Sequence, residues 1–276
     1  MLSLLLVLLE PFAYGYMINA MWVSALVGAG CAALSVYLML RGWSLIGDTI
    51  SHAVVPGVTA AYVLGFPFSL GAFIAGGLAG VSVLLLSQNA RLKADVTLGI
   101  TLSSFFAIGL FINSLNPASI DISTVVMGNI LAISYFDILQ LVIIEVVLFL
   151  VIAVTWKDLM VIFFDEGYAR SIGLRVSTLK MVFFALLCAC MVAAMQAVGA
   201  LLILSMVVTP GASAYLLSNR FVNLLQISVV IGSVTGFLGA YVSYFLNGAT
   251  GGAIVVLQTA VFLTIFLISM RTRTVC

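Results

Sequence analysis

The chain has 276 residues, of which 64% are hydrophobic and 7% charged, and its formal net charge is +1. Soluble domains are about a quarter charged, so composition excludes a water-soluble globular fold and calls for several membrane spans of about 20 apolar residues each. No long basic run points to nucleic acid or to a polybasic lipid anchor.

The opening run MLSLLLVLLEPFAYGYM is apolar but short, and it has neither the basic start nor the small-residue cleavage site of a signal peptide. Residues 1–12 read instead as an interfacial or re-entrant piece. Apolar runs bounded by Gly, Pro, Asn or charge then predict spans near 16–40, 49–64, 67–88, 97–114, 136–156, 178–198, 199–217, 222–246 and 253–270. The division within 178–217 rests on Gly199 alone, and 49–64 is short for a full crossing. The expected fold is therefore all-α: one polytopic membrane domain over 1–276 with eight or nine transmembrane helices.

With nine spans, every basic residue falls on one side: Arg41, Arg91, Lys93, Lys157, Arg170, Arg175, Lys180, Arg220, Arg271 and Arg273. The other side receives only the turns at 65–67, 113–121 and 246–252. So complete a bias marks the basic side as cytoplasmic. It puts the C-terminus inside and the N-terminus outside, unless residues 1–12 add a segment.

Two cytoplasmic stretches stand out. Residues near 157–177 read as a short helix, with Asp165 and Glu166 early and Arg170 and Arg175 late, the order that suits a helix dipole, and with Gly173 ending it. In MVVTPGASAYLLSNRF (206–221), Thr209-Pro210-Gly211 is expected to interrupt its helix. The segment 210–224, up to and past Arg220, would then lie as a short helix against a partner.

The residues with chemistry are few. Asp48 and His52, the one histidine of the chain, stand four apart and so share a helical face. Ionisable groups within a span face a water-filled cavity or a partner group, and carboxylate with imidazole suits Mn, Fe, Co or Zn. Two ligands make a weak site; a dimer would bring four. Equally, Asp48 could cap the helix that starts after Gly47, with His52 bonded to it locally. Pro56 removes a backbone hydrogen bond just beyond the pair, which membranes tolerate beside a cavity or another helix. Glu145 lies inside LVIIEVVLFL, either a functional acid or a protonated side chain bonded to a neighbouring helix. Cys31, Cys188, Cys190 and Cys276 form no CxxC pair and read as packing residues. There is no P-loop, GxSxG or HExxH motif.

Four stretches resemble one family: LRGWSLIGDTISHAVVPGVTAAYVLG (40–65), FDEGYARSIGL (164–174), AMQAVGALLILSMVVTPGASAYLL (194–217) and the GATGG turn (248–252). They are similar to the ABC-3 type membrane permeases of bacterial ABC importers for manganese, zinc or iron, and among these to the enterobacterial Sit and Yfe type. The resemblance implies a type II ABC-importer-like permease fold in the inner membrane. It also implies a second permease chain, identical or related, two cytoplasmic ATPase subunits, and a periplasmic or lipid-anchored metal-binding protein. The transported divalent metal would be cargo, with no cofactor held by this chain and no enzymatic activity of its own. Asp48 and His52 fall where the family lines its metal path. Asp165, Glu166, Arg170, Gly173, Pro210, Gly211 and Arg220 fall in the two stretches that would couple to the ATPase, with more weight on the segment after Pro210. Three rival readings remain: a permease for a metal chelate such as a siderophore, a gradient-driven carrier using Asp48, His52 and Glu145 as a proton relay, and an intramembrane enzyme.

Overall fold

The computed structural model describes residues 9–43, 45–89, 93–115 and 133–273. Arg91, Cys276, residues 1–8 and most of the predicted outer turn at 113–121 lie outside them. After a short turn of 3-10 helix at Glu10–Ala13, the described chain folds into α1 (Gly15–Arg41), α2 (Ile46–Ala53), α3 (Val55–Leu64), α4 (Phe68–Asn89), α5 (Ala94–Leu115) and α6 (Tyr135–Phe164). These are followed by α7 (Glu166–Ser171), α8 (Val176–Val198), α9 (Ala200–Leu217), α10 (Phe221–Leu246) and α11 (Thr250–Arg273). Seven of these, α1, α4, α5, α6, α8, α10 and α11, are long and apolar enough to cross a membrane. The two remaining predicted crossings are helical as well: 49–64 is the broken pair α2–α3, and 199–217 is the shorter α9.

α1 is the most buried of the long spans and α11 the least. α1 is apolar on every side, the pattern of a helix surrounded by others, and small residues let its neighbours close in. A Cβ on Gly28 would overlap the carbonyl oxygen of Gly232 in α10, and a Cβ on Gly232 would overlap that of Gly28. Ser228 Oγ of α10 donates to the Ala32 carbonyl at 2.8 Å along the same contact. α9 and α6 pack on other sides of α1, and α8 packs between α6 and α4. Tyr37 of α1 sits among Phe163, Phe183 and Phe221, with ring centroids 5.2–5.9 Å away.

Two sequence expectations are corrected. The first is the cytoplasmic helix. Residues 157–164 continue α6 without a break, giving 30 residues and a length of about 45 Å. KDLMVIFF holds no Gly or Pro to stop it. The separate short helix is α7 alone. Asp165 is its cap: its backbone is extended and its Oδ1 accepts the N–H groups of Gly167 and Tyr168 at 2.9 and 3.0 Å. Gly173 turns the chain at φ +84°, as expected.

The second correction concerns Pro210, which does not interrupt α9. The missing N–H leaves the Met206 carbonyl without its helical donor, and beside that gap Ser35 of α1 ties α9 from outside. Gly211 N–H donates to Ser35 Oγ at 3.1 Å, and Ser35 Oγ reaches the Val208 carbonyl at 3.4 Å. Gly211 is glycine because a Cβ there would collide with Ser35. Only Ser218 to Arg220 are non-helical before α10 begins, so no flat helix spans 210–224.

On the basic side one acid gathers three cations. Glu166 of α7 accepts from Arg41 at the end of α1 (2.9 Å), from Arg170 of α7 (2.7 Å) and from Lys180 of α8. The Lys180 side chain is 3% exposed. Burial alone pushes the Glu166 carboxyl up; Lys180, Arg170 and Arg41 more than reverse this and hold it below the ordinary carboxylate range. A carboxyl that titrates lower when folded stabilises the fold above that range, and the contribution is lost as pH falls through the lowered value. Replacing Glu166 with Ala strands the buried Lys180 and is expected to cost about 3 kcal/mol, read as a lower Tm of the purified chain. Lys180→Met should cost much less, and Glu166→Gln should flatten the acid limb of the stability profile. An unchanged Tm in Glu166→Ala would show that the cluster holds nothing together.

Candidate metal pathway site

α2 carries the ionisable pair. The helix begins after Leu45, so Asp48 is its third residue and not its cap. Its partner is His52: Nε2 lies 3.2 Å from Asp48 Oδ1. Both side chains are about one-third exposed, 35% for Asp48 and 34% for His52. The rest of α2 is tightly held. Thr49 Oγ1 donates to the Leu45 carbonyl at 2.9 Å and reaches the Leu98 carbonyl of α5 at 3.4 Å. Ile46, Gly47, Ile50 and Ala53 are buried, with Met191 of α8 and Leu204 of α9 over Gly47. Phe106 of α5 meets the His52 ring edge-on at 5.3 Å. The surroundings fix the helix while one face, bearing both polar side chains, stays open.

Pro56 stands at the start of α3, and the helix divides at Val54. Proline removes the donor that would reach back to the His52 carbonyl. Gly109 of α5 lies against this break: a Cβ there would come 2.8 Å from Pro56 N and 2.9 Å from Val55 Cγ1. Gly57 and Gly71 make the matching approach between α3 and α4, where a Cβ on either would overlap the other's carbonyl. The weak point in α2–α3 is thus clamped by backbone on two sides.

The other predicted residues fall elsewhere. Glu145 of α6 is buried against α1 and α8, in a space that Gly30 leaves open by lacking a Cβ. Cys190 donates to its Oε1 at 3.3 Å, and Oε2 has no partner. It belongs to a separate junction of α6, α1 and α8 and does not join the pair. Among the described residues, no group of three or more His, Cys, Asp and Glu side chains stands in metal-binding geometry. Asp165, Glu166, Arg170 and Gly173 lie in and just after α7 at the basic end of the bundle, and Arg220 lies at the start of α10. Pro210 and Gly211 are buried against Ser35. Sequence reasoning missed the roles of Arg41 and Lys180 as Glu166 partners and of Gly109 as a clamp. Arg41 is 125 positions from Glu166, and no local pattern marks so distant a pairing.

Seven long apolar helices packed in one bundle make this a polytopic membrane protein. The chain belongs to the ABC 3 transport family, which matches residues 13–269. It is 56% identical over 94% of its length to the chelated iron transport system membrane protein YfeC of Yersinia pestis, spanning 88% of that protein. It is 45% identical over 92% of its length to the manganese transport system membrane protein MntB of a Synechocystis species, spanning 83% of it. The solved structure of PsaBC from Streptococcus pneumoniae in complex with Fab aligns at TM-score 0.82 and 34% identity, over 96% of this chain and 95% of that one. The apolar helices and the bacterial relatives make this a multi-pass protein of the bacterial inner membrane.

The clamp at the break is testable. Gly109→Val should force α5 away from Val55–Pro56 and lower stability by about 1–3 kcal/mol, read as a drop in Tm of the detergent-purified protein. Gly99→Ala, on the same helix with open space around it, should be nearly neutral.

Proposed function

We propose that this chain is the transmembrane permease subunit of an ATP-binding-cassette importer that carries manganese or iron, or else zinc, from periplasm to cytoplasm, with Asp48 and His52 as ligands on the path. The observation that carries this is the exposure of the pair. An ionisable pair one-third open on a membrane helix cannot face lipid without a large cost, so the open face of α2 meets water, cargo or another protein chain. The set is also incomplete alone: two donors make a weak site, and a second permease chain, identical or related, would complete it across a two-fold axis. Weak binding suits transport, because the ion must be released. The names of the relatives, which concern iron and manganese, support the class of cargo.

ATP hydrolysis belongs to a pair of separate cytoplasmic ATPase subunits, and a periplasmic or lipid-anchored binding protein delivers the metal. Of the two candidate coupling segments, α7 is favoured, since α9 runs straight through Pro210. α7 exposes Tyr168 and Arg170 and is tied through Glu166 to α1 and α8. It borders an open cavity of about 630 Å³ whose lining includes Phe164, Tyr168, Tyr215, Asn219 and Phe221, so the Ser218–Arg220 turn flanks the same surface. Closure of the ATPase pair pressing on α7 would move α8, which lies against α2 at Met191.

In cells lacking other importers, with ATPase and binding protein present, Asp48→Ala and His52→Ala should each lower radiolabelled manganese uptake at least about tenfold, or about 1.4 kcal/mol, at matched membrane levels. Normal uptake in both would sink the metal-path reading. A chelate permease, the second reading favoured by the chelated-iron relative, predicts that Asp48→Asn is harmless. The coupling assignment has its own check: Arg170→Glu with Tyr168→Ala should reduce co-purification of the ATPase more than Arg220→Glu does. The reverse order would move the coupling role to the α9–α10 turn.

A further inference from the structure

Two cavities at the basic end of the bundle differ in kind. The one beside α7 has mostly apolar walls. The other, of about 480 Å³, lies between the α9–α10 turn and the last turns of α11, and its walls are mostly polar: Tyr215, Ser218, Asn219, Arg220, Asn223 and Ser269 line it. Its charge is unbalanced within the chain. All nine acidic residues lie at or before Glu166, and from α9 onward the sequence carries Arg220, Arg271 and Arg273 with no Asp or Glu. The ion pairs of this end are gathered by Glu166, which takes Arg41, Arg170 and Lys180, and none of them includes Arg220. Asp165 borders the neighbouring apolar cavity, and its Oδ1 is already taken by the Gly167 and Tyr168 N–H groups. α10 begins at the polar wall with no side-chain cap, which adds partial positive charge. A negative group that balances this cavity has to come from outside the chain.

The flanks of the cavity are apolar and open. Leu217 in its wall and Leu267 of α11, two residues before Ser269, each expose half or more of their surface, and α11 is the least buried of the long spans. Tyr215 is exposed as well, an amphipathic ring of the kind that sits at headgroup level. A polar, positively charged space thus opens beside lipid-facing side chains where three helices end, and basic pockets between membrane helices take anionic headgroups. We propose that this cavity binds the phosphate of an anionic phospholipid. Arg220 supplies the opposite charge, the Asn219 and Asn223 amides donate to phosphate oxygens, and the acyl chains run along Leu217 and Leu267. A phosphodiester offers acceptors alone, which matches a wall of guanidinium, amide and hydroxyl donors. The apolar flank is what favours a lipid over free phosphate. Ser218 to Arg220 are the non-helical link between α9 and α10, so the bound lipid braces that turn against the end of α11.

The test uses the full chain purified in detergent with its partner permease and ATPase chains. Its Tm is followed during titration with short-chain phosphatidylglycerol, phosphatidylcholine of the same chain length, glycerol 3-phosphate and inorganic phosphate. Phosphatidylglycerol should raise Tm at a concentration at least about fivefold below that needed of phosphatidylcholine, and the two chain-free phosphates should have little effect. Arg220→Gln and Asn223→Leu should each raise the half-saturating phosphatidylglycerol concentration by about threefold to tenfold. Arg175→Gln removes an exposed cation at the start of α8, away from the cavity, and should leave it unchanged. An equal response to both lipids overturns the proposal, and so does a phosphatidylglycerol response that survives both cavity variants. Inorganic phosphate acting as well as the lipid would make this a free-anion site and sink the lipid assignment. Loss of ATPase co-purification in Arg220→Gln with the lipid response intact would give the surface to the ATPase instead.

Discussion

Within a membrane no water stands ready to satisfy a polar group, and this one constraint shapes the bundle. Each buried donor or acceptor must find a partner in the protein or in something that passes through it. Most helical hydroxyls find theirs in their own helix. Beside the proline of α9 a partner comes from another helix: Ser35 of α1 accepts the Gly211 N–H. The same rule operates between helices, where Ser205 of α9 donates to Gln258 of α11 at 2.7 Å and Gln258 donates to Thr235 of α10 at 3.2 Å. On α2, Thr49 follows the rule by donating to the Leu45 carbonyl, whereas Asp48 and His52 pair with one another on a side that stays about one-third open. The buried side-chain atoms without a partner, Ser24 Oγ, Tyr37 Oη, Ser51 Oγ and Glu145 Oε2, are spread over α1, α2 and α6.

The same scarcity of polar contacts explains how the helices are held. Apolar side chains gain little by leaving lipid for one another, so association depends on close packing and a few hydrogen bonds. The contacts Gly28–Gly232, Gly57–Gly71 and Gly109–Pro56 bring backbones to distances no Cβ would allow. Two of the three flank α3. The segment weakened by Pro56 is therefore fixed by shape at its outer part.

Much of this was legible in the sequence, and the failures have physical causes. Spans and the Asp48–His52 face follow from hydropathy and from helical spacing, both of which are local. The reading of Thr209-Pro210-Gly211 as a break failed because its remedy, Ser35, is 176 positions from Gly211. The boundary of the cytoplasmic helix differs because charge at Lys157 and Asp158 does not end a helix: α6 runs on through both to Phe164. Asp165 and Gly173 were placed correctly as acidic start and glycine stop, since both act through their own backbone neighbours. The gap that Gly30 leaves for the Glu145 carboxylate has no local trace at all.

The two ends of the proposed machine are joined by α8. Its first turns hold Lys180 against Glu166, and so against α7 and the end of α1. Further along, Met191 lies over Gly47 of α2, and one residue earlier Cys190 meets Glu145 of α6. A shift of α8 along its axis would therefore be felt at the cytoplasmic ion cluster and at the ligand-bearing helix together, because a close-packed interior does not absorb displacement gradually. α2 is eight residues long and divided from α3 at Val54, so it has a place to yield that the long spans lack. Movement delivered at α7 would then appear as a change in how the Asp48–His52 face meets its surroundings, while α1, locked to α10 through its glycines, stays in place.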